Sequence, residues 1–295
     1  ENYKPIQKQY IEYIRELFML TGVSESNAQT IANQVYQFET GLAQYAEPFL
    51  DVINPQKSYH KYSITDLQEF APQIDWLTFF QRVGWENPDS VNLRQDQYVK
   101  NALTLLDKFP IEAWKSYLKW NFLNNSVEYL DTKFEQTHFN FYGKTLRGQN
   151  EQTERANKMV DLLNFRMGEA VGQLYVQKYF PEEAKVKMNE MVSNLKTAFA
   201  NRIDSLDWMS NETKIKAKDK LNTMVVKIGY PDKWRDYSGL QISSENFFKN
   251  MMSIRKFNIK YDISKIGKPY NKYEWLLPPQ VVNAYYNPNG NEMVF

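Results

Sequence analysis

Cysteine is absent from all 295 residues. That excludes disulfides, thiolate nucleophiles and cysteine-bound zinc, and it fits a cytosolic or bacterial envelope protein better than an animal ectodomain. Histidine is nearly absent too, with His60 and His138 the two present. Zinc hydrolases commonly carry H-E-x-x-H on a helix, which puts both imidazoles on one face. Here His60 runs into Lys61-Tyr62-Ser63 and His138 into Phe139-Asn140-Phe141. Both read as ordinary surface or hydrogen-bonded histidines, and no catalytic or metal residue is assigned in this stretch. A surplus of either charge is also missing, with Lys+Arg 36 against Asp+Glu 35. Nucleic acid and anionic membrane are therefore not expected partners. No apolar run approaches the roughly 20 residues of a membrane span. No basic-then-apolar leader opens the sequence, an absence that says nothing about export if the chain is an internal fragment. Fixed-period repeats and low-complexity blocks are lacking as well.

Aromatic residues are what the chain has in plenty: 20 Tyr, 18 Phe and 7 Trp, material for cores and groove walls. The length allows one large domain or two ordinary ones, burying roughly 75% of the unfolded surface. Ile6, Tyr10, Tyr13, Ile14, Leu17 and Phe18 recur at helical spacing until Thr21-Gly22. Ser24 or Ser26 can cap a second helix with Ala28, Ile31, Ala32, Val35, Phe38 and Leu42 on its apolar face, which predicts a helical hairpin. Residues 51–64 read as loop, and Thr65-Asp66-Leu67-Gln68 has the form of a capping box. A short amphipathic helix should then bury Trp76 and Phe80.

From Gln97 two more helices follow, one lined by Val99, Leu103, Leu106 and Phe109, the next by Trp114, Leu118 and Phe122. Residues 139–149 look like loop before a helix through Val160, Leu163 and Met167. After Pro181 a long stripe carries Met188, Met191, Val192, Leu195, Phe199, Ile203 and Leu206. Lys214, Lys216, Lys218 and Lys220 alternate along a helix, so they scatter around it as a solvated face rather than forming a phosphate stripe. Gly229 permits an unusual φ in the turn 228–232, and Pro231 holds Tyr230 extended.

The last fifteen residues suit a half-buried pleated surface around a strong turn signal, Asn287-Pro288-Asn289-Gly290. The expectation is a strand over 281–286, a turn over 287–290 and a returning strand over 291–295. A hairpin stopping on Val294-Phe295 reads as cut off mid-element, in a piece of a longer protein. The run Val282-Asn283-Ala284-Tyr285-Tyr286-Asn287-Pro288, followed by Asn291, Met293 and Phe295, resembles the substrate-strand motif of the neprilysin family of zinc metalloendopeptidases. Further patches resemble that family in the same order. They are Phe38 to Ala43, Ile74-Asp75-Trp76 with Phe79-Phe80, Gly168 to Val176 on to Phe180-Pro181, Trp208 to Leu221, and Ile228 to Asp232. Where the family often shows Arg-Trp and then Cys, this chain has Arg155-Ala156 and Lys158. The departure suggests a cysteine-free bacterial branch.

The resemblance implies a mainly α fold: a multi-helix lid domain over 1–225, then linker and the start of an α+β catalytic domain over 226–295, beginning with a small β-hairpin. It implies peptide substrates, zinc in the full-length enzyme and a metal centre on a missing C-terminal part. This chain alone is then expected to be inactive. By motif match, Asn283 binds the substrate backbone on the leaving-group side, Ala284 contributes main-chain bonds, and Tyr285 joins the substrate-binding set. A carboxamide suits that role because it offers a donor and an acceptor at fixed separation. The location implied is the cell envelope, periplasm or outside. The alternative is a non-catalytic helical peptide- or protein-binding scaffold sharing this ancestry.

Overall fold

Long amphipathic helices dominate the computed structural model, which describes residues 3–295, and short strands appear at two places. The fold is mainly α. It gathers into two compact units: residues up to Gln152 with Ser244–Met251, and Thr153–Ser243 with Met252–Phe295. The division anticipated at 226 falls within the second unit.

The first unit opens with α1 (Lys4–Leu20) and α2 (Glu25–Ala43). They pack as the expected helical hairpin, turned at Thr21-Gly22. Ala28 and Ala32 are fully buried one turn apart, so α1 can approach closely enough to bury Tyr13, Ile14, Leu17 and Phe18. The rest of this unit comprises α3 (Phe49–Val52), β1 (Lys61–Ser63), α4 (Ile64–Phe70), α5 (Trp76–Val83), β2 (Ser90–Asn92), α6 (Asp96–Leu103), α7 (Leu105–Lys108), α8 (Ile111–Asn124) and α9 (Thr132–His138). Strands β1 and β2 pair antiparallel, Tyr62 opposite Val91. Trp76 and Phe80 are half-buried on α5, as the spacing predicts.

Three local expectations need correction. Residues 51–64 are not plain loop, since they include the end of α3 and all of β1. The capping box is Ser63 with Asp66, not Thr65 with Gln68. Ser63 is extended and its hydroxyl accepts from Asp66 N at 3.0 Å, while Asp66 accepts from Ser63 N. The helix thus starts before Thr65, and Gln68 Oε1 instead accepts from Trp76 N at 3.1 Å. Replacing Ser63 by Ala should cost about 1 kcal/mol, read by thermal melting; no shift would mean the cap is idle. Third, the stretch expected as loop after His138 is a π-helix, Phe139–Leu146, continuing α9. Burying Phe141 against Tyr13, rings stacked at 5.1 Å, gives these wide turns their tertiary support.

In the second unit α10 (Arg155–Tyr179) and α11 (Glu182–Asp204) are the long helices. Non-helical backbone at Met167 (φ −136°, ψ 37°) kinks α10. On α12 (Asn211–Thr223) the lysines scatter as expected: Lys216 pairs with Glu212, whereas Lys218 reaches Asp204. Strand β3 (Val225–Lys227) leads to Gly229, whose φ of +73° and contact with the Phe180 ring leave no space for a Cβ. Helix α13 (Phe247–Ile263) follows. The unit closes with β4 (Tyr285–Asn287) and β5 (Glu292–Val294).

Candidate peptide-binding edge

The three strands of the second unit form one sheet in the order β3-β5-β4. Strand β5 is central, parallel to β3 and antiparallel to β4. The turn between β4 and β5 is fixed by asparagines. Asn287 Oδ1 accepts from Asn289 N at 3.2 Å, and Asn291 takes a positive φ of 44°. Asn291 Nδ2 donates to Lys220 O at 2.8 Å and to Thr223 Oγ1, tying the turn to α12. The strand expected over 281–286 is shorter than that. It begins at Tyr285, because 278–281 is held in a turn closed by Val281 N donating to Pro278 O at 3.1 Å.

Which main-chain groups stay free follows from the register. Val225 N donates to Asn291 O, and Phe295 N to Lys227 O, so odd-numbered residues around β5 bond toward β3. Glu292 and Val294 therefore bond toward β4, opposite Asn287 and Tyr285. The amide and carbonyl of Tyr286 then point away from β5, at the outer edge of the sheet. Ala284 lies two residues upstream of Tyr286, just before the paired strand.

Asn283 and Ala284 are both exposed, and Asn283 Oδ1 accepts from Ala284 N at 2.8 Å. Tyr285 is turned the other way. Its hydroxyl accepts from Leu276 N at 3.1 Å, and burial raises its pKa above the ordinary phenol value. Beside the strand lies a cavity of 220 Å³ lined by Trp275, Pro279, Val282, Asn283, Tyr285 and Phe295 among others. Asn283 and Ala284 thus stand exposed just upstream of β4, with Asn283 on the wall of this cavity. Tyr286 is not singled out by the sequence, because the outward direction of its main chain depends on pairing parity rather than residue type.

Beneath the rim sits a charged group that sequence reasoning also missed. Lys227 Nζ lies 2.6 Å from Glu292 Oε2, both side chains buried. Lys227 also donates to Glu274 O at 2.7 Å; Glu292 Oε1 accepts from Tyr270 Oη at 2.6 Å and from Asn287 Nδ2 at 3.0 Å. The available clue was alternation: on β5 a carboxylate shares the face of Val294, which is 2% exposed.

His60 and His138 belong to the first unit. His60 Nδ1 is 3.3 Å from Leu93 O, and His138 stacks on Tyr142 at 4.6 Å. Among the described residues no three His, Cys, Asp or Glu side chains gather to hold a metal ion, so the side chains present do not fit a zinc centre. No helix among them is long and apolar enough to cross a membrane.

The chain is 29% identical over 306 residues to Neprilysin-11 of Caenorhabditis elegans, covering 98% of this chain and 36% of that one. It is 29% identical over 313 residues to Neprilysin-3 of Drosophila melanogaster, covering 100% and 40%. Its fold matches the inhibitor complex of the Mycobacterium tuberculosis zinc metalloprotease Zmp1 with a TM-score of 0.92 at 31% identity, covering 100% of this chain and 45% of the other. PepO of Lactobacillus rhamnosis shares the fold, with a TM-score of 0.87 at 22% identity, covering 100% and 47%. The chain spans less than half the length of each of these relatives. A sequence profile described as peptidase family M13 matches residues 1–231, and the chain belongs to that family.

Proposed function

We propose that this chain is the substrate-enclosing helical part and the substrate strand of a zinc-dependent endopeptidase that hydrolyses oligopeptides. Residues outside this sequence supply the zinc ligands and the general base, and the helical lid gives way to the catalytic part near residue 226. The observation that carries the reading is the open rim of β4. An extended peptide adding to it meets the amide and carbonyl of Tyr286 and the carbonyl of Ala284, whose amide the exposed Asn283 carboxamide already holds. Tyr285 contributes by shaping the rim from below through its bond to Leu276 N. An exported or envelope location goes with this function. A non-catalytic helical peptide- or protein-binding scaffold with the same ancestry is the second reading, and it places binding on the helical surfaces rather than on the rim.

Titrating the chain with an uncleavable extended peptide, followed by amide NMR, tests the reading. Shifts should concentrate on 283–287. Replacing Asn283 by Ala removes a side chain able to make two hydrogen bonds, about 1–3 kcal/mol, or roughly 5- to 150-fold in affinity. Shifts elsewhere, or an unaltered affinity in the variant, would favour the scaffold. Added zinc should bind without measurable stoichiometry, and robust peptide cleavage by this chain would contradict the assignment of the metal centre elsewhere.

A further inference from the structure

The rim is only as well placed as the segment feeding it, and that segment sits on α10 in an unusual way. Just after the kink at Met167, Gly168 and Gly172 lie one turn apart on the same helix face. A Cβ on Gly168 would stand 2.8 Å from both Cβ and Cγ of Pro278; one on Gly172 would stand 2.8 Å from Pro279 Cδ and 3.3 Å from its Cγ. Both distances are too short for real carbon contacts, so the proline rings occupy the space of the two missing side chains. Gln280 then reaches across the kink. Its Nε2 donates to Asn164 Oδ1 at 2.7 Å and to Gly168 O at 3.0 Å. A second carbonyl beside the kink, that of Arg166, accepts from Asn258 Nδ2 at 3.3 Å. Immediately beyond Gln280 the chain leaves the helix. Val282 is fully exposed, and Asn283 and Ala284 follow it onto the rim.

We propose that Gly168 and Gly172, with Asn164, form a seat for Pro278-Pro279-Gln280 that fixes where Asn283 and Ala284 stand. They act as positioning residues for peptide capture, an inference resting on the peptide-edge reading above. Three anchor points in a row leave the exposed 282–284 little freedom at its upstream end, while β4 holds the downstream end. A purely helical role for Gly172 makes the opposite prediction. Alanine is the better helix former, so Gly172→Ala should then only strengthen α10.

The chain lacks cysteine, so Val282→Cys and Ile215→Cys can carry two nitroxides without background. The distance distribution between them should be narrow in the parent. It should shift or broaden in Gly172→Ala, and largely return in Gly172→Ala/Pro279→Ala, where the colliding Cγ and Cδ are gone and only the end of the Gln280 side chain, 3.0 Å from the new Cβ, must give way. Gln280→Ala, which introduces no clash, should broaden it too and serves if the glycine variant folds poorly. Affinity for the uncleavable peptide should fall by about tenfold in Gly172→Ala and recover in the double variant. An unchanged distribution in both Gly172→Ala and Gln280→Ala overturns the seat. A changed distribution with unchanged affinity overturns its positioning role. If the parent chain binds no peptide at all, the edge reading fails, and the distances alone still decide whether the seat exists.

Discussion

Glu292→Gln should destabilise the second unit by about 3–5 kcal/mol, the range found when one partner of a buried ion pair is removed. The carboxylate meets Lys227 at 2.6 Å with both side chains out of water, and no solvent can replace it. The variant keeps an oxygen for Tyr270 and Asn287 but leaves the Lys227 ammonium with only the Glu274 carbonyl. Urea unfolding followed by near-ultraviolet ellipticity measures the loss, and a value under about 1 kcal/mol would mean that water reaches the pair. Removing both charges, as in Lys227→Met/Glu292→Leu, should recover most of it, because two apolar side chains need no pairing.

The same carboxyl carries a pH dependence. Burial alone would raise its pKa, but the bonds from Lys227, Tyr270 and Asn287 outweigh burial and hold it below the ordinary value. A carboxyl lowered in the folded state contributes stability that is complete above its unfolded value of about 4.3. That contribution is lost as pH falls through the folded value. The gap between parent and Glu292→Gln should therefore close on acidification below about pH 4.3. A gap that widens in acid would refute the sign.

Trp120→Ala should cost about 3–5 kcal/mol in the first unit. Trp120 is 1% exposed on α8 and stands edge-on to Tyr13 at 5.5 Å and to Tyr10 at 6.0 Å. Its removal leaves a cavity at the meeting of α1, α2 and the π-helix. It also deprives Glu39 of a donor. Burial raises that carboxyl, while bonds from Tyr10 at 2.8 Å and Trp120 at 3.2 Å oppose the rise. Trp120→Phe, which keeps most of the volume, should cost less but still more than a surface change. Amide exchange in α1 and α2 should report both losses, and protection unchanged in Trp120→Ala would place the core elsewhere.

What could be read from sequence was whatever is settled locally. The α1–α2 hairpin follows from apolar spacing and its Thr21-Gly22 stop, and the terminal turn from Asn287 to Gly290 follows from turn chemistry. Gly229 announced its positive φ. The misjudged elements were those decided by distant partners. Residues 281–284 have the composition of a strand, yet the turn closed by Val281 N on Pro278 O delays the ladder until Tyr285. The π-helix needs Tyr13 beneath Phe141. The motif singles out Asn283 and Ala284 by resemblance, whereas the outward-facing main chain of Tyr286 follows from the pairing parity of three strands. Lys227 and Glu292 meet only because β3 and β5 run side by side.

That parallel pairing bears on folding order. A hairpin can zip from its own turn, but β3 and β5 are separated by all of α13 and its flanking loops, so closing them carries the entropy of a long intervening loop. Until Glu292–Val294 arrives, Val225 and Val226 remain an uncovered strand and Lys227 has no counter-ion. Contacts of such high sequence separation belong to the slow steps of folding. The sheet that presents the rim should thus be the last element of its unit to mature.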